Sequence, residues 1–209
     1  PQIAYGEIYD DPELVEHARM PGPPGINGKR SYGSYRGSGF SYLYNVARGR
    51  FNGQFAGNWK DDEMGLRMLV PEGVAQEVIT AQGKPPNKPS SPDHFDYVLL
   101  RNRGGSEADR LHSIFAVVCE TFRKQPRITG VERLSASSED AIGIKISWEG
   151  GTCYLASNTG EGETVTFDEG LTLDGGFGVL TFGKDGKARW GCVSGRLISL
   201  LQATVSGPG

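Results

Sequence analysis

Apolar and polar positions alternate in short runs along this chain, and the most prominent pair of runs lies between Phe95 and Phe122. The first run, FDYVLLRNR, is separated from the second, RLHSIFAVVCETF, by a polar link that contains Gly104-Gly105. β-branched and aromatic residues are abundant in both runs, which predicts a β-hairpin. Both alternating sets of the second run are largely apolar. We therefore expect this strand to be covered on both faces in the middle of a sheet.

A second hairpin is predicted from Phe40 to Trp59. Asn52-Gly53 lies between two apolar runs there, and Asn-Gly is the strongest short-range signal for a hairpin turn. With regular alternation, Tyr42, Tyr44 and Arg48 would share one face of its first strand.

After Arg127, short apolar runs follow one another with turn residues between them. The predicted strands are Ile128–Leu134, Ile142–Trp148, Thr152–Ser157, Thr164–Phe167, Leu171–Leu173, Phe177–Phe182, Ala188–Val193 and Leu197–Ala203. The predicted turns are Glu149-Gly150-Gly151, Thr159–Glu163, Asp174-Gly175-Gly176 and Lys184-Asp185-Gly186. This regular spacing is typical of a β-sandwich or barrel.

The predicted fold is therefore all-β, a multi-stranded antiparallel β-sandwich with a short N-terminal helical segment. Asp11-Pro12-Glu13 is the helix start, with Asp at the cap and Pro in the first turn. We predict a single β-sandwich domain over 1–209, in which 1–38 is extended and rich in loops. The Pro-rich stretch Gln82–His94 is interpreted as a long crossover within that sandwich.

Composition and charge exclude several classes of function. The formal net charge of −3 argues against nucleic acid as a partner. No apolar run is long enough to span a bilayer, and no signal peptide is recognisable. The 3 cysteines, Cys119, Cys153 and Cys192, lack metal-site spacing and are interpreted as small buried apolar residues. Since the chain begins at Pro1, we expect it to be a piece of a longer protein.

No catalytic constellation emerges from the residues, so no catalytic residue is predicted. The histidines His17, His94 and His112 are far apart, and their spacing gives no support to a metal site. The acidic runs Asp61-Asp62-Glu63 and Asp168-Glu169 lack the spacing of an EF-hand. We predict neither a metal site nor a cofactor in this chain.

One region combines aromatic and basic residues in the way that sugar-binding surfaces do. Aromatic faces stack on sugar rings, and Arg guanidinium groups bind carboxylate or sulfate in pairs of hydrogen bonds. Cross-strand packing is the alternative role of these aromatic residues. The predicted substrate-binding residues are Tyr32, Tyr35, Arg36, Tyr42, Tyr44, Arg48 and Trp59.

Four runs of the sequence together resemble the C-terminal β-domain of heparinase II/III-like polysaccharide lyases. They are GFSYLYNVARGR (Gly39–Arg50), the pair DYVLLRNR and LHSIFAVVCETF, and RITGVERL (Arg127–Leu134). The resemblance covers the chain from about Gly39 to Trp148 and consists of strand patterns, without a catalytic signature.

The resemblance implies a β-sandwich that packs against an N-terminal helical toroid, with the substrate cleft between the two. Such lyases cleave uronic-acid polysaccharides by β-elimination, using a Tyr, an Asn or Glu, and a His of the toroid and its junction. None of these residues can be carried over to this chain, and the toroid is absent from it. The expected role is therefore non-catalytic. The expected partners are an acidic polysaccharide and the chain's own catalytic domain, with no nucleic acid and no membrane. The family implies a periplasmic or secreted location, and a structural divalent metal is possible in the parent protein.

Two alternatives remain open at this stage. A free-standing carbohydrate-binding module, or lectin-like sandwich, would have a self-sufficient aromatic and basic site. A jelly-roll hydrolase would need a pair of carboxylates across a cleft, and no such pair stands out in the sequence.

Overall fold

The computed structural model describes residues 2–4, 7–9, 43–50, 55–61, 63–83, 92, 94–102, 104, 111–160 and 163–207. Before residue 63, side chains are described only at positions 45, 47, 56 and 58. The predicted N-terminal helical segment lies outside the described residues. No helix among the described residues is long and apolar enough to cross a membrane.

The described residues form antiparallel sheets, which confirms the predicted all-β sandwich class. The first strands are β1 (Gln2–Ala4), β2 (Glu7–Tyr9), β3 (Leu43–Arg50), β4 (Phe55–Asp61), β5 (Met64–Val70), β6 (Glu77–Gly83), β7 (Phe95–Arg101) and β8 (Val118–Arg123). The later ones are β9 (Ile128–Leu134), β10 (Ala141–Trp148), β11 (Gly151–Asn158), β12 (Thr164–Thr166), β13 (Thr172–Gly183), β14 (Ala188–Leu200) and β15 (Ala203–Ser206).

The strands belong to three sheets. Sheet I has the order β1-β4-β5-β8, and sheet II has the order β2-β3-β6-β7. Sheet III has the order β15-β14-β13-β11-β10-β9, with β12 paired to β13. The chain divides into two compact units. Unit 1 comprises Pro1–Tyr5, Gly53–Val74 and His112–Gly209, with sheets I and III, and unit 2 comprises Gly6–Asn52 and Ala75–Leu111, with sheet II. The single-domain organisation stays a prediction.

The hairpin predicted around Asn52-Gly53 is wrong. Strand β3 pairs with β2 and β6, whereas β4 pairs with β1 and β5, so the two predicted arms lie in different sheets. Both arms have strong β propensity, and such strands pair where cross-strand packing is best rather than where the nearest turn signal lies.

The hairpin predicted from Phe95 to Phe122 is also wrong. Its first arm, β7, pairs with β6 in sheet II, and β8 is the last strand of sheet I. The segment before β8 forms no strand, because its partner β5 ends at Val70, directly before Pro71. Leu111 and Phe115 are 56% and 45% exposed. The predicted two-sided burial of this run is therefore wrong as well.

The predicted meander after Arg127 is confirmed, with three exceptions. The predicted strand Leu197–Ala203 is divided by a turn at Leu201-Gln202, after which β15 begins at Ala203. Asp174-Gly175-Gly176 is not a turn, because β13 continues through it to Gly183. The predicted break between Val193 and Leu197 is likewise absent, and β14 continues to Leu200. Both positions are instead irregularities in the pairing of β13 with β14.

Gly175 and Gly195 form a corner in the long hairpin of β13 and β14. They are paired with each other and have φ values of 151° and 144°, which side chains rarely allow. A Cβ on Gly175 would lie 2.6 Å from the Cα of Gly195. At this corner the hairpin bends, as strands do at bulges and glycine kinks, and its far half folds back over the sheet.

The bend produces two layers from one continuous sheet. The first layer contains β9, β10, β11 and the adjoining halves of β13 and β14. The second contains β12, Thr172–Asp174, Leu197–Leu200 and β15. A Cβ on Gly178 in the first layer would lie 2.6 Å from Ile198 Cδ1 and 3.1 Å from Leu173 Cδ1 in the second. These two side chains therefore pack directly on the glycine backbone.

The hydrophobic core of unit 1 lies between these two layers. Apolar side chains from both layers meet there, and their burial is the main contribution to the stability of the fold. Its members are Leu134, Ala141, Tyr154, Ala156, Val165, Phe167, Leu171, Leu173, Leu180, Phe182, Ile198 and Leu200.

In unit 2, sheet II has its own buried residues and a cross-strand ion pair. Val78 and Ile79 on β6 are 1% and 0% exposed. Glu77 pairs directly with Arg101 across β6 and β7, with 2.6 Å between carboxylate and guanidinium. This pair is largely shielded from water.

We expect Gly178→Ala to destabilise the protein by roughly 1–3 kcal/mol, because the new methyl group overpacks the contact with Ile198. Urea unfolding would measure the loss. The control is Gly130→Ala on β9, where the nearest heavy atom to the new Cβ is 4.0 Å away. Equal stability of the two variants would contradict the two-layer packing.

Candidate functional site

The side chains of the predicted substrate-binding residues all lie outside the described part of the structure. Tyr32, Tyr35, Arg36 and Tyr42 lie outside the described residues. The remaining three lie on strands of different sheets: Tyr44 and Arg48 on β3 of sheet II, and Trp59 on β4 of sheet I. Their role in sugar binding stays a prediction.

A bulge separates Tyr44 and Arg48. Tyr44 pairs with Gln82, and after a register shift Arg48 pairs with Ile79. Gln82 and Ile79 lie on opposite faces of β6, since side chains alternate along a strand. One extra residue of β3 therefore lies between the two pairs, and since the side chains of Tyr44 and Arg48 lie outside the described ones, their common face stays a prediction. The extra residue is accommodated at Asn45, whose φ is 50°.

A different aromatic and basic site lies at one end of the first layer in unit 1. Three connections meet at this end, namely those that precede β9, join β10 to β11 and join β13 to β14. An open groove of about 850 Å³ lies between them. We name it the Trp148 groove, and it is lined by Gln125, Pro126, Arg127, Thr129, Trp148, Glu149, Gly150 and Lys184.

Local features of β10 place Trp148 at the groove. The ladder between β9 and β10 shifts register between Ser147 and Trp148, so that Trp148 pairs with Ile128. The following turn has no side chain at Gly150, and a Cβ there would lie 2.7 Å from Trp148 Nε1. The indole therefore lies over the glycine of its own hairpin turn. It is half-buried, and part of its surface remains accessible to a ligand.

The groove carries positive charge in a chain that is acidic overall. The connections Lys124–Arg127, Glu149–Gly150 and Lys184–Lys187 contain four basic residues and two carboxylates. Asp185 is engaged by Arg189, with 2.8 Å between carboxylate and guanidinium. Arg127 and Lys184 are exposed and form no ion pair within the described part of the chain. Their charges are available to an anionic ligand.

Glu120 fixes the connection that carries Arg127. Its carboxylate accepts hydrogen bonds from the backbone N of Arg127 at 2.5 Å and of Ile128 at 3.0 Å. Arg67 on β5 donates to the same carboxylate at 2.7 Å. Burial raises the pKa of Glu120, but the hydrogen bonds and the nearby guanidinium outweigh it and lower the pKa below its ordinary value. Glu120 is therefore an ionised support for one wall of the groove.

A second polar cluster joins the two layers. Glu169, in the 3₁₀ turn Asp168–Gly170, accepts hydrogen bonds from Lys145 at 2.5 Å and from the Tyr154 hydroxyl at 2.7 Å. Burial and the neighbouring carboxylate raise the pKa of Tyr154 to about 12. The phenol is therefore a proton donor to Glu169 at neutral pH and is unsuited to be a general base. The cluster attaches the second layer to the first.

Among the residues that the structure describes, the other groups considered in the sequence do not assemble a reactive site. His112 lies 3.3 Å from Asp140, and His94 lies 3.6 Å from Asp96. Cys119 is exposed, so its predicted burial is wrong, while burial raises the pKa of Cys153. Across the described ranges no group of three His, Cys, Asp or Glu residues could hold a metal ion.

No protein-family model, curated protein or solved structure matches this chain. The class that the structure defines is therefore that of its fold, an all-β protein with antiparallel sheets in a sandwich arrangement.

The Trp148 groove was missed by sequence reasoning, although a signal for it exists. In an antiparallel meander, every second connection lies at the same end of the sheet. Counting connections from β9 would have placed Arg127, Trp148 and Lys184 at one end. The predicted site instead lay in the N-terminal half, where aromatic and basic residues are close together in sequence.

We expect Glu120→Gln to destabilise the protein by about 1.5–3 kcal/mol, because a neutral amide replaces the charged acceptor of hydrogen bonds from three donor groups, two of them partly buried. Since the folded-state pKa of Glu120 is lowered, its stabilisation is complete above the unfolded value near 4.5 and is lost as the pH falls through the folded value. The melting temperature of the variant should therefore decrease less between pH 7 and pH 3 than that of the wild type.

Glu149→Gln is the matched control for Glu120→Gln. It removes an exposed carboxylate of the same groove that has no ion pair within the described residues. If both variants show the same stability at neutral pH, Glu120 does not support the groove.

Proposed function

We propose that this chain binds an acidic polysaccharide through the Trp148 groove, as a non-catalytic β-sandwich part of a heparinase II/III-like polysaccharide lyase. The single observation that carries the binding proposal is the convergence of Trp148, Arg127 and Lys184 in one open groove. An indole face packs on the apolar face of a sugar ring, and a guanidinium and an ammonium complement carboxylate or sulfate groups. The sequence analysis predicted the same combination of aromatic and basic side chains for an acidic polysaccharide, but at other residues.

The association with a lyase rests on the resemblance of the strand patterns. Exposed apolar residues of unit 1 are a supporting observation, because a surface that packs on another domain is apolar when it is bare. Met64, Leu66, Phe115 and Val117 are between 40% and 56% exposed. In this proposal the catalytic groups belong to the partner domain, and the β-sandwich holds the polymer.

A free-standing carbohydrate-binding module is the second candidate. The observation that favours it is that every residue lining the groove lies in unit 1, and in one continuous stretch of sequence from Gln125 to Lys184. Such a site needs no second domain for its assembly. Both candidates share the ligand and differ in whether the chain has a catalytic partner.

We expect Trp148→Ala to weaken binding of heparan-type or alginate-type oligosaccharides by about fivefold to tenfold, the loss expected for roughly 1 kcal/mol of buried apolar area. Isothermal titration calorimetry would measure it. Trp190→Ala is the matched control, because Trp190 is 59% exposed and lies outside the groove. Equal losses in the two variants, or no binding by the wild type, would contradict the proposal.

We expect the double substitution Arg127→Ala and Lys184→Ala to weaken binding and to reduce its dependence on salt, because two charges that attract the polymer are removed. Titrations at low and high ionic strength test this. Gly150→Ala tests the position of the indole without changing ligand chemistry, since its new methyl group displaces Trp148. Unchanged affinity in both variants would place the binding surface elsewhere.

The catalytic assignment has its own test. We expect the chain alone to bind the polymer without releasing unsaturated uronate, which ultraviolet absorbance would detect. Measurable release would contradict a non-catalytic role.

Sedimentation velocity separates the two candidates. If the chain has a bare surface for a partner domain, we expect it to self-associate, and Phe115→Ser should reduce this association. If the chain stays monodisperse at high concentration, the free-standing module is favoured.

A further inference from the structure

Two further depressions continue the Trp148 groove along the same end of unit 1. The first, of about 370 Å³, shares Trp148, Glu149 and Lys184 with the groove. The next, of about 560 Å³, shares Phe182, Gly186 and Leu201 with the first. We name the three together the trough. It continues from the connection before β9 to the turn between β14 and β15.

The order of the strands gives the length of the trough. Between β9 and β14 the first layer has the order β9-β10-β11-β13-β14, which contains four strand spacings. At about 4.8 Å per spacing this is ~19 Å. That distance is several times the length of one sugar ring. A single sugar would therefore fill only one section of the trough.

The character of the lining changes along the trough. Arg127, Trp148 and Lys184 lie at one end, where charge and an aromatic face coincide. The middle section is lined by apolar residues at the open edge between the layers, including Phe182 and Leu200, and at its rim by Glu149, Thr152 and Lys184. The third section contains Lys187 together with Gln202. Positive charge is thus present at both ends, with an apolar floor between.

Leu201 is an unusual residue for its position. It occupies the first place of the two-residue turn between β14 and β15 and has a φ of 55°, where glycine is the favoured residue. Its side chain is 85% exposed, so the fold gains little from burying it. A leucine here carries a backbone cost without a packing benefit. It lines both the second and the third section of the trough.

We propose that the trough binds an extended anionic oligosaccharide of several rings, with Trp148 and Leu201 among its apolar contacts. The inference rests on the proposed function, since it assigns the length of the ligand in the same site. Negative groups at separate rings meet Arg127 and Lys184 at one end and Lys187 at the other.

The first experiment measures affinity against ligand length by calorimetry, using size-defined heparan-type oligosaccharides from disaccharide to octasaccharide. We expect the affinity to rise by about tenfold or more between the disaccharide and the longer oligomers and then to level off, because each ring within the trough buries further area. Equal affinity for all lengths would overturn the inference while leaving the proposed function intact. No binding at any length would overturn both.

The second experiment uses Leu201→Gly on the whole chain. Glycine adopts a φ of 55° without strain, so we expect the melting temperature to stay the same or to rise. Affinity for the long oligomers should fall several-fold, and affinity for the disaccharide should not change. Leu201→Asn, which also tolerates this backbone conformation, should behave in the same way. Unchanged binding of the long oligomers by both variants would overturn the role of Leu201.

A single-stranded oligonucleotide of matched charge is the control for ligand class. Stacking on Trp148 and attraction to the basic residues would act on nucleic acid as well. We expect much weaker binding than for the octasaccharide, with no dependence on Leu201. Equal binding of the two polymers would overturn the assignment to a sugar chain.

Discussion

The close approach of Gly175 and Gly195 is the constraint on which unit 1 depends. A Cβ on Gly195 would lie 2.3 Å from the Cα of Gly175, so neither position has space for a side chain. Because the two strands touch there, the β13–β14 hairpin bends and supplies strands to both layers. The core between the layers, the open edge that lines the trough and the location of the Leu201 turn all follow from that bend.

The same connectivity that builds the core also brings separate connections together at one end of the first layer. Antiparallel connectivity brings the connections that carry Arg127, Trp148 and Lys184 to one end of the first layer. The bend returns the β14–β15 turn to the same end, beside Phe182 and Gly186. Residues that are separated by 74 positions in sequence, Arg127 and Leu201, thus line connected depressions.

Two ionised groups of unit 1, Glu120 and Glu169, stabilise connections between its strands. Glu120 holds the connection before β9 through backbone hydrogen bonds, and Glu169 links the second layer to Lys145 and Tyr154. In each case the pKa of the carboxylate is lowered: for Glu169 mainly by hydrogen bonding to the cation, and for Glu120 by hydrogen bonds that outweigh its burial. In both cases the ionised carboxylate therefore contributes to stability at neutral pH.

The sequence by itself determined the all-β class, the meander after Arg127 and most of its strand bounds, because short alternating runs between turn residues encode local strand formation. It did not determine which strands pair. Asn52-Gly53 and the runs around Gly104-Gly105 carry hairpin signals, yet their arms lie in different sheets, since pairing is decided by packing between distant strands. Asp174-Gly175-Gly176 looks like a turn locally, and only the contact with Gly195 makes it a bend within one strand. The Trp148 groove belongs to this second category. Each residue is unremarkable in its own segment, and only the tertiary structure brings them into one site.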